Sequence, residues 1–188
     1  MTKTKIVVSL AVLALATATL WAATPVKEDS FAIVLPDGFQ KFAKQVQRGE
    51  KVTTYVSKND KGEIVIVSHA LMAPTEDLDA YLAKEKQSLM KSLKATLESE
   101  REVEIDGHKG ISFNYAIQGA RPMFGRTDMV ISNPRLYQVI YLSGEQASLG
   151  EPNIVSMFSS FELDEDAIAA AKPASKHEPV IKTASSDQ

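Results

Sequence analysis

Any chemistry in this chain must be drawn from a short inventory: three histidines, no cysteine, and charged residues spread along its length. Without cysteine there are no thiol nucleophiles, thiolate metal ligands or disulfides. His69, His108 and His177 are far apart in sequence. His108 sits at a hairpin turn and His177 near the C-terminal end, so His69, closing an apolar run, is the histidine a fold could hold in a defined place. With strand carboxylates nearby it could serve a small hydrolase or a metal-dependent enzyme. Ser68 is no partner for it, because adjacent strand residues point to opposite faces. No HExxH, GxSxG or GxGxxG spacing occurs. Gly119 to Thr127 has the outline of a phosphate loop, but its glycines are one residue too far apart, Arg126 stands where lysine is needed, and a strand pattern follows.

Two charge patterns remain. Glu98, Glu100, Glu102 and Glu104 alternate with Ser99, Arg101 and Val103, which would put four carboxylates along one strand face. Such a face could offer oxygens to a divalent cation, or it could simply discourage edge-to-edge pairing. Lys41, Lys44, Arg48 and Lys51 form the opposite pattern, with no acidic residue between Asp37 and Glu50. A patch of that sign can meet phospholipid headgroups or an acidic partner, and these four residues are the candidate partner-binding surface. No catalytic, cofactor-binding or metal-ligating residue is assigned.

The elements that must position these residues follow from periodicity. Phe31 to Leu35 is an apolar strand stopped by Pro36-Asp37-Gly38, a turn tripeptide. Gln40 to Arg48 suits either a helical turn or an edge strand. Lys51 to Ser57 and Glu63 to Met72 alternate around Asn59-Asp60-Lys61-Gly62 and predict a hairpin. Thr75 is expected to cap one long helix whose apolar stripe is Leu78, Tyr81, Leu82, Leu89, Leu93 and Leu97. From Glu98 the β pattern returns. Asp106-Gly107 is the strongest short hairpin signal in the chain, and Ile111, Phe113, Tyr115 and Ile117 alternate after it. Strands from Met123 to Ile131 and from Leu136 to Leu142 flank Ser132-Asn133-Pro134-Arg135. Pro152 starts a short helix with Ile154, Val155 and Phe158 inward, and Phe161 and Leu163 close the core. Tight turns make the strands antiparallel, so the prediction is an α+β fold: a single antiparallel sheet packed with one long and one short helix.

Residues 1–22 read as a signal peptide. Lys3 and Lys5 precede an apolar run from Ile6 to Ala18, Ala16-Thr17-Ala18 offers a cleavage site, and Leu20-Trp21-Ala22 offers a poorer one. The alternative is an uncleaved anchor, since Ile6 to Ala23 approaches the length of a span. The expected location is therefore periplasmic or secreted, with a mature chain starting at Thr19 or Ala23. Residues 164–188 lack aromatics and are expected to be a disordered tail. What lies between, 30–163, is the size of one domain. The formal charge of −3 becomes −5 when the two leader lysines go, which argues against nucleic-acid binding.

The order of these elements, with four short signatures, resembles the PsbP-like and DcrB-like superfamily of small α/β/α sandwich domains. The signatures are Phe31-Ala-Ile-Val-Leu-Pro-Asp-Gly-Phe39, Ile105-Asp-Gly-His-Lys-Gly-Ile111, Asn133-Pro-Arg-Leu-Tyr137 and Ser156-Met-Phe-Ser-Ser-Phe161. The resemblance implies an α/β/α sandwich and a non-catalytic accessory or binding role without a shared active site or cofactor, so no functional residue carries over. The functional expectation is an exported, non-enzymatic accessory or binding domain of the envelope or periplasm. Its partner would be a protein or envelope component, with weak contact to a membrane surface as a further expectation. The alternatives are the His69 enzyme and a carrier of an apolar or amphiphilic ligand.

Overall fold

The computed structural model describes residues 24–28, 30–47, 52–72, 75 and 77–164. The leader, Arg48, Lys51, Pro74, Glu76, His177 and the tail beyond Asp164 lie outside the described residues. In chain order the elements are β1 (Thr24–Glu28), β2 (Phe31–Leu35), β3 (Ala43–Gln47), β4 (Val52–Lys58), β5 (Ile64–Leu71) and α1 (Leu78–Leu93). They continue with β6 (Ala95–Ile105), β7 (His108–Ile117), β8 (Met123–Ser132), β9 (Arg135–Ser143), a 3₁₀ turn (Gln146–Gly150), α2 (Pro152–Ser159) and β10 (Glu162–Leu163).

Among the described residues the strands make two antiparallel sheets where the sequence predicts one. A seven-stranded sheet runs β3-β4-β5-β9-β8-β7-β6, and a smaller one runs β1-β2-β10. The large sheet is the central layer, with a core on each face. On one side α1 places Leu82 over Phe113, Tyr115, Met129, Ile131 and Leu136. On the other, Phe31, Ile33 and Leu35 of β2 and Ile154, Met157 and Phe158 of α2 meet Tyr55, Val67, Tyr137, Val139 and Tyr141. The α+β class and sandwich layering hold. The small sheet escaped the sequence reading because β1, Thr-Pro-Val-Lys-Glu, has no apolar alternation and carries a proline, which suits an edge.

Local corrections have local causes. The cap of α1 is Asp77, whose Oδ1 accepts from Ala80 N–H at 2.8 Å, while the hydrogen bonds of Thr75 Oγ1 go to the backbone N–H and carbonyl of Asp77 rather than into the helix. Lys94 adopts φ 51° and ends α1, so Leu97 belongs to β6 and is exposed, despite its helical spacing from Leu93. Leu78 is exposed too, and Leu82 is the buried member of the stripe. In α2 it is Met157 that turns inward, and Val155 is exposed. Of the stretch from Gln40 to Arg48, Ala43–Gln47 forms the edge strand β3. The Asp106-Gly107 turn has φ of 50° and 77°, the two positive values a type I′ hairpin requires. Asp164, expected to begin a tail, is held by Ser30: its N–H donates to the Ser30 carbonyl at 3.0 Å.

Candidate functional site

Strand β3 ends the large sheet, and among the described residues no strand pairs with its outer side. Lys41, in the approach to β3, and Lys44 are exposed. Val46 is 50% exposed, the most open large apolar residue among those described. Register ties this edge to the one histidine singled out above. Val46 lies opposite Thr53, Thr53 opposite His69, and His69 opposite Tyr137, so the four share one face in one row. The neighbouring row is Lys44, Tyr55, Val67 and Val139. Lys44 Nζ stands 5.5 Å from the Tyr55 ring centre, so the lysine stem covers an aromatic while its charge stays at the surface. Phe42 packs edge-on to the same ring at 6.0 Å. The fold thus puts Lys44 of the predicted patch on one face with an exposed valine, and leaves Lys41 exposed in the approach to the strand. Arg48 and Lys51 lie outside the described residues.

Behind the edge His69 and Arg135 are engaged with each other. His69 is 8% exposed and lies between the rings of Tyr55 and Tyr137. Arg135 Nη1 is 3.0 Å from His69 Nδ1. A guanidinium has only donors, so Nδ1 must be the acceptor and the imidazole is neutral with its proton on Nε2. The Nδ1 lone pair is therefore already engaged. Burial pushes the Tyr137 hydroxyl up from its usual range, while Ser30 and Arg135 beside it pull it back. Burial, reinforced by Glu63, pushes Tyr141 further up. Neither phenol is prepared for proton transfer near neutrality. Ser68 faces away from His69, opposite Gln138.

The glutamates of β6 do not converge. A bulge between Leu97 and Ser99 takes Glu98 out of the alternation, and its carboxylate accepts from Gln146 Nε2. Glu100 pairs with Lys86 of α1. No group of three or more His, Asp or Glu among the described residues is arranged to hold a metal ion. Sequence reasoning did miss the pairing of Arg126 with Asp128. Arg126 Nε and Nη2 donate to the two Asp128 carboxylate oxygens at 3.1 and 3.0 Å, Ser112 Oγ donates to the same carboxylate at 2.6 Å, and the guanidinium stacks 4.0 Å over Phe158. The signal was available, because residues two apart on a strand share a face. A fork this well satisfied fastens β8 to α2.

Two of the grooves that flank the core lie against its helices. One, of about 580 Å³, runs between α1 and β6 and is lined by Asp79, Leu82, Glu100, Glu102 and Ile111. The other, of about 570 Å³, lies between the end of β2 and α2 and is floored by Val34, Leu35, Pro36 and Met157.

No family model matches the sequence, and no curated protein matches it. Solved structures do. The solution structure of cyanobacterial PsbP (CyanoP) from Synechocystis sp. PCC 6803 matches with a TM-score of 0.59 at 13% identity, over 78% of this chain and 95% of that one. A crystal structure from Bacteroides thetaiotaomicron matches with a TM-score of 0.43 at 13% identity, over 71% of this chain and 44% of that one. PA94 of Pseudomonas aeruginosa, a protein of unknown function, matches with 0.38 at 13% identity, over 68% and 85%. The likeness to CyanoP shows a PsbP-like fold, as the order of signatures implied.

Proposed function

We propose that this protein is an exported, non-enzymatic accessory domain of the periplasm or envelope, and that the β3 edge receives an acidic segment of a partner protein. The observation that carries the reading is the open edge itself: Val46, half exposed, with the exposed Lys44 two residues before it on the same face and the exposed Lys41 in the approach to the strand. An extended partner gains main-chain hydrogen bonds from such an edge, and alternate side chains reach either face. The lysines supply the attraction that selects an acidic segment and speeds its approach. Export rests on Lys3, Lys5, the apolar run to Ala18 and the small residues at its end. The non-enzymatic reading rests on His69 Nδ1 being taken by Arg135.

Photocrosslinking in intact cells tests this. A photoreactive residue at Lys41 should yield one discrete adduct in the envelope fraction, lost on Lys44→Glu, and the same probe at Glu102 should yield none. Equal adducts from both positions, or adducts indifferent to Lys44→Glu, would end the edge reading. Enzymatic action would appear differently. His69→Gln that folds normally yet abolishes the biological activity returns His69 to catalysis, because loss of a general base costs about 10²–10⁴ in rate.

A further inference from the structure

We propose that a cavity beside the 3₁₀ turn, on strands β6 to β8, binds the carboxylate of a small organic acid through Arg101, Asn114 and Arg126. It is separate from the β3 edge, toward the other end of the large sheet.

The α2 face of that sheet changes character from strand to strand. One row across it reads Val67, Val139, Asp128, Ser112 and Arg101, and the next reads Val65, Tyr141, Arg126, Asn114 and Ser99. Both rows are apolar on β5 and β9, where they meet β2 and α2, and polar from β8 outward. Ser99, Arg101, Ser112, Asn114 and Arg126 line a cavity of about 270 Å³ together with Leu149 of the 3₁₀ turn. Gln146 of the same turn donates to Glu98 at 3.1 Å and so ties it to β6.

What this cavity offers is a surplus of donors. Arg126 spends Nε and Nη2 on Asp128, and its Nη1, bonded to nothing among the described residues, is open to solvent. The side chains of Arg101 and Asn114 make no hydrogen bond or ion pair among the described residues. The nearby carboxylates are already engaged. Asp128 accepts from Ser112 and Arg126 and is not part of the wall, while Glu100 projects to the opposite face, where Lys86 pairs with it. With Asp128 balancing Arg126, the Arg101 guanidinium is the uncompensated charge. One positive unit matches a singly charged carboxylate better than a phosphate, which carries about −1.5 to −2 at neutral pH. The guanidinium fork fits the two oxygens of a carboxylate, and the Asn114 amide adds an N–H. Arg126 is held in advance: its side chain is 11% exposed, forked to Asp128 and stacked 4.0 Å over Phe158, so little order is lost on binding. Leu149, nearly buried, gives the carbon chain of the acid an apolar contact.

Butyrate is the probe. In NMR spectra of the full-length protein, sodium butyrate exchanged for sodium chloride at constant ionic strength should give saturable shifts of the Asn114 side-chain amide and the Arg126 Nε–H. The neutral 1-butanol should give none. Arg101→Gln, at an exposed position, should weaken binding about tenfold, the loss of one hydrogen bond to a charged group. Arg101→Lys keeps the charge without the fork and should fall between the two. Lys109→Gln removes an exposed positive charge from the opposite face and should leave binding unchanged. Shifts that grow without saturating, equal weakening by Lys109→Gln and Arg101→Gln, or the same shifts from butanol would overturn the proposal. Inorganic phosphate binding more tightly than butyrate would overturn the carboxylate assignment.

Discussion

Strand β6 closes one side of the large sheet and β3 closes the other, and the two edges are guarded in opposite ways. β6 is eleven residues long and carries Glu98, Glu100, Glu102 and Glu104. A bulge interrupts its pairing near the start, and Lys86 of α1 reaches down to Glu100. Charges and a bulge are the devices that keep a long edge from pairing with a neighbour. β3 is five residues long, and its described flank shows Lys41, Lys44 and a half-exposed valine. One edge is built to stay solitary. The other keeps the apolar side chain that β6 lacks at its acidic positions, and adds a single sign of charge. The difference is what supports placing the proposed binding surface at β3 rather than at β6.

The largest expected effect comes from undermining the acidic edge at its neighbour. Gly110 of β7 faces β8 so closely that a Cβ would lie 2.3 Å from the Met129 carbonyl oxygen. Gly110→Ala should cost roughly 3 kcal/mol, the upper part of the overpacking range, read as a lower midpoint in urea. Next comes Leu82→Ala, which removes the buried anchor of α1 above that side of the sheet. It should cost about 2–3 kcal/mol. Leu89→Ala should cost less because Leu89 is half-buried, and Lys91→Ala, exposed, should change little. Equal losses at Leu82 and Lys91 would mean that the helix presents another face.

Alkali should act on both cores. Burial raises the phenols of Tyr115, under α1, and of Tyr137 and Tyr141, under the small sheet. A raised folded pKa means that the unfolded chain gives up its protons first. This contribution is therefore complete below pH 10, the unfolded value, and is lost as pH rises toward the folded values. Thermal midpoints measured between pH 8 and 11 should fall, and Tyr141→Phe should flatten the decline. The smallest effect on stability bears most directly on the two edges. Replacing Glu100, Glu102 and Glu104 together by threonine should alter the midpoint by only about 0.5 kcal/mol, yet convert the protein to concentration-dependent oligomers in sedimentation. Lys41→Glu with Lys44→Glu should leave it unassociated. Self-association of the lysine variant instead would reverse the roles given to the edges.

The signals that could be read in advance were the short-range ones. Alternation aligned Ile111, Phe113, Tyr115 and Ile117 on one strand, and Phe113 and Tyr115 are fully buried. Asp106-Gly107 announced its hairpin because few residue pairs tolerate two successive positive φ values. Lys41 and Lys44 were legible as a cluster of charge. Their neighbour Val46 was not, since an apolar residue in a polar stretch reads equally as a helix face or a strand face until its partner is known. The same limit hid the end of α1, where Leu97 kept the helical spacing but Lys94 had already turned the chain.

Periodicity by itself determined the α+β class, the antiparallel pairing and the inward set of most strands, because these depend on dihedral preferences and on side chains a few residues apart. Only tertiary structure decided that β1, β2 and β10 leave the main sheet, that β3 and β6 become its edges, and that Arg135 reaches His69 across 66 positions of sequence. A strand's pattern states which face is apolar but not which strand will lie beside it. Neighbours are chosen by long-range packing, and that choice is what leaves one edge armoured and the other open.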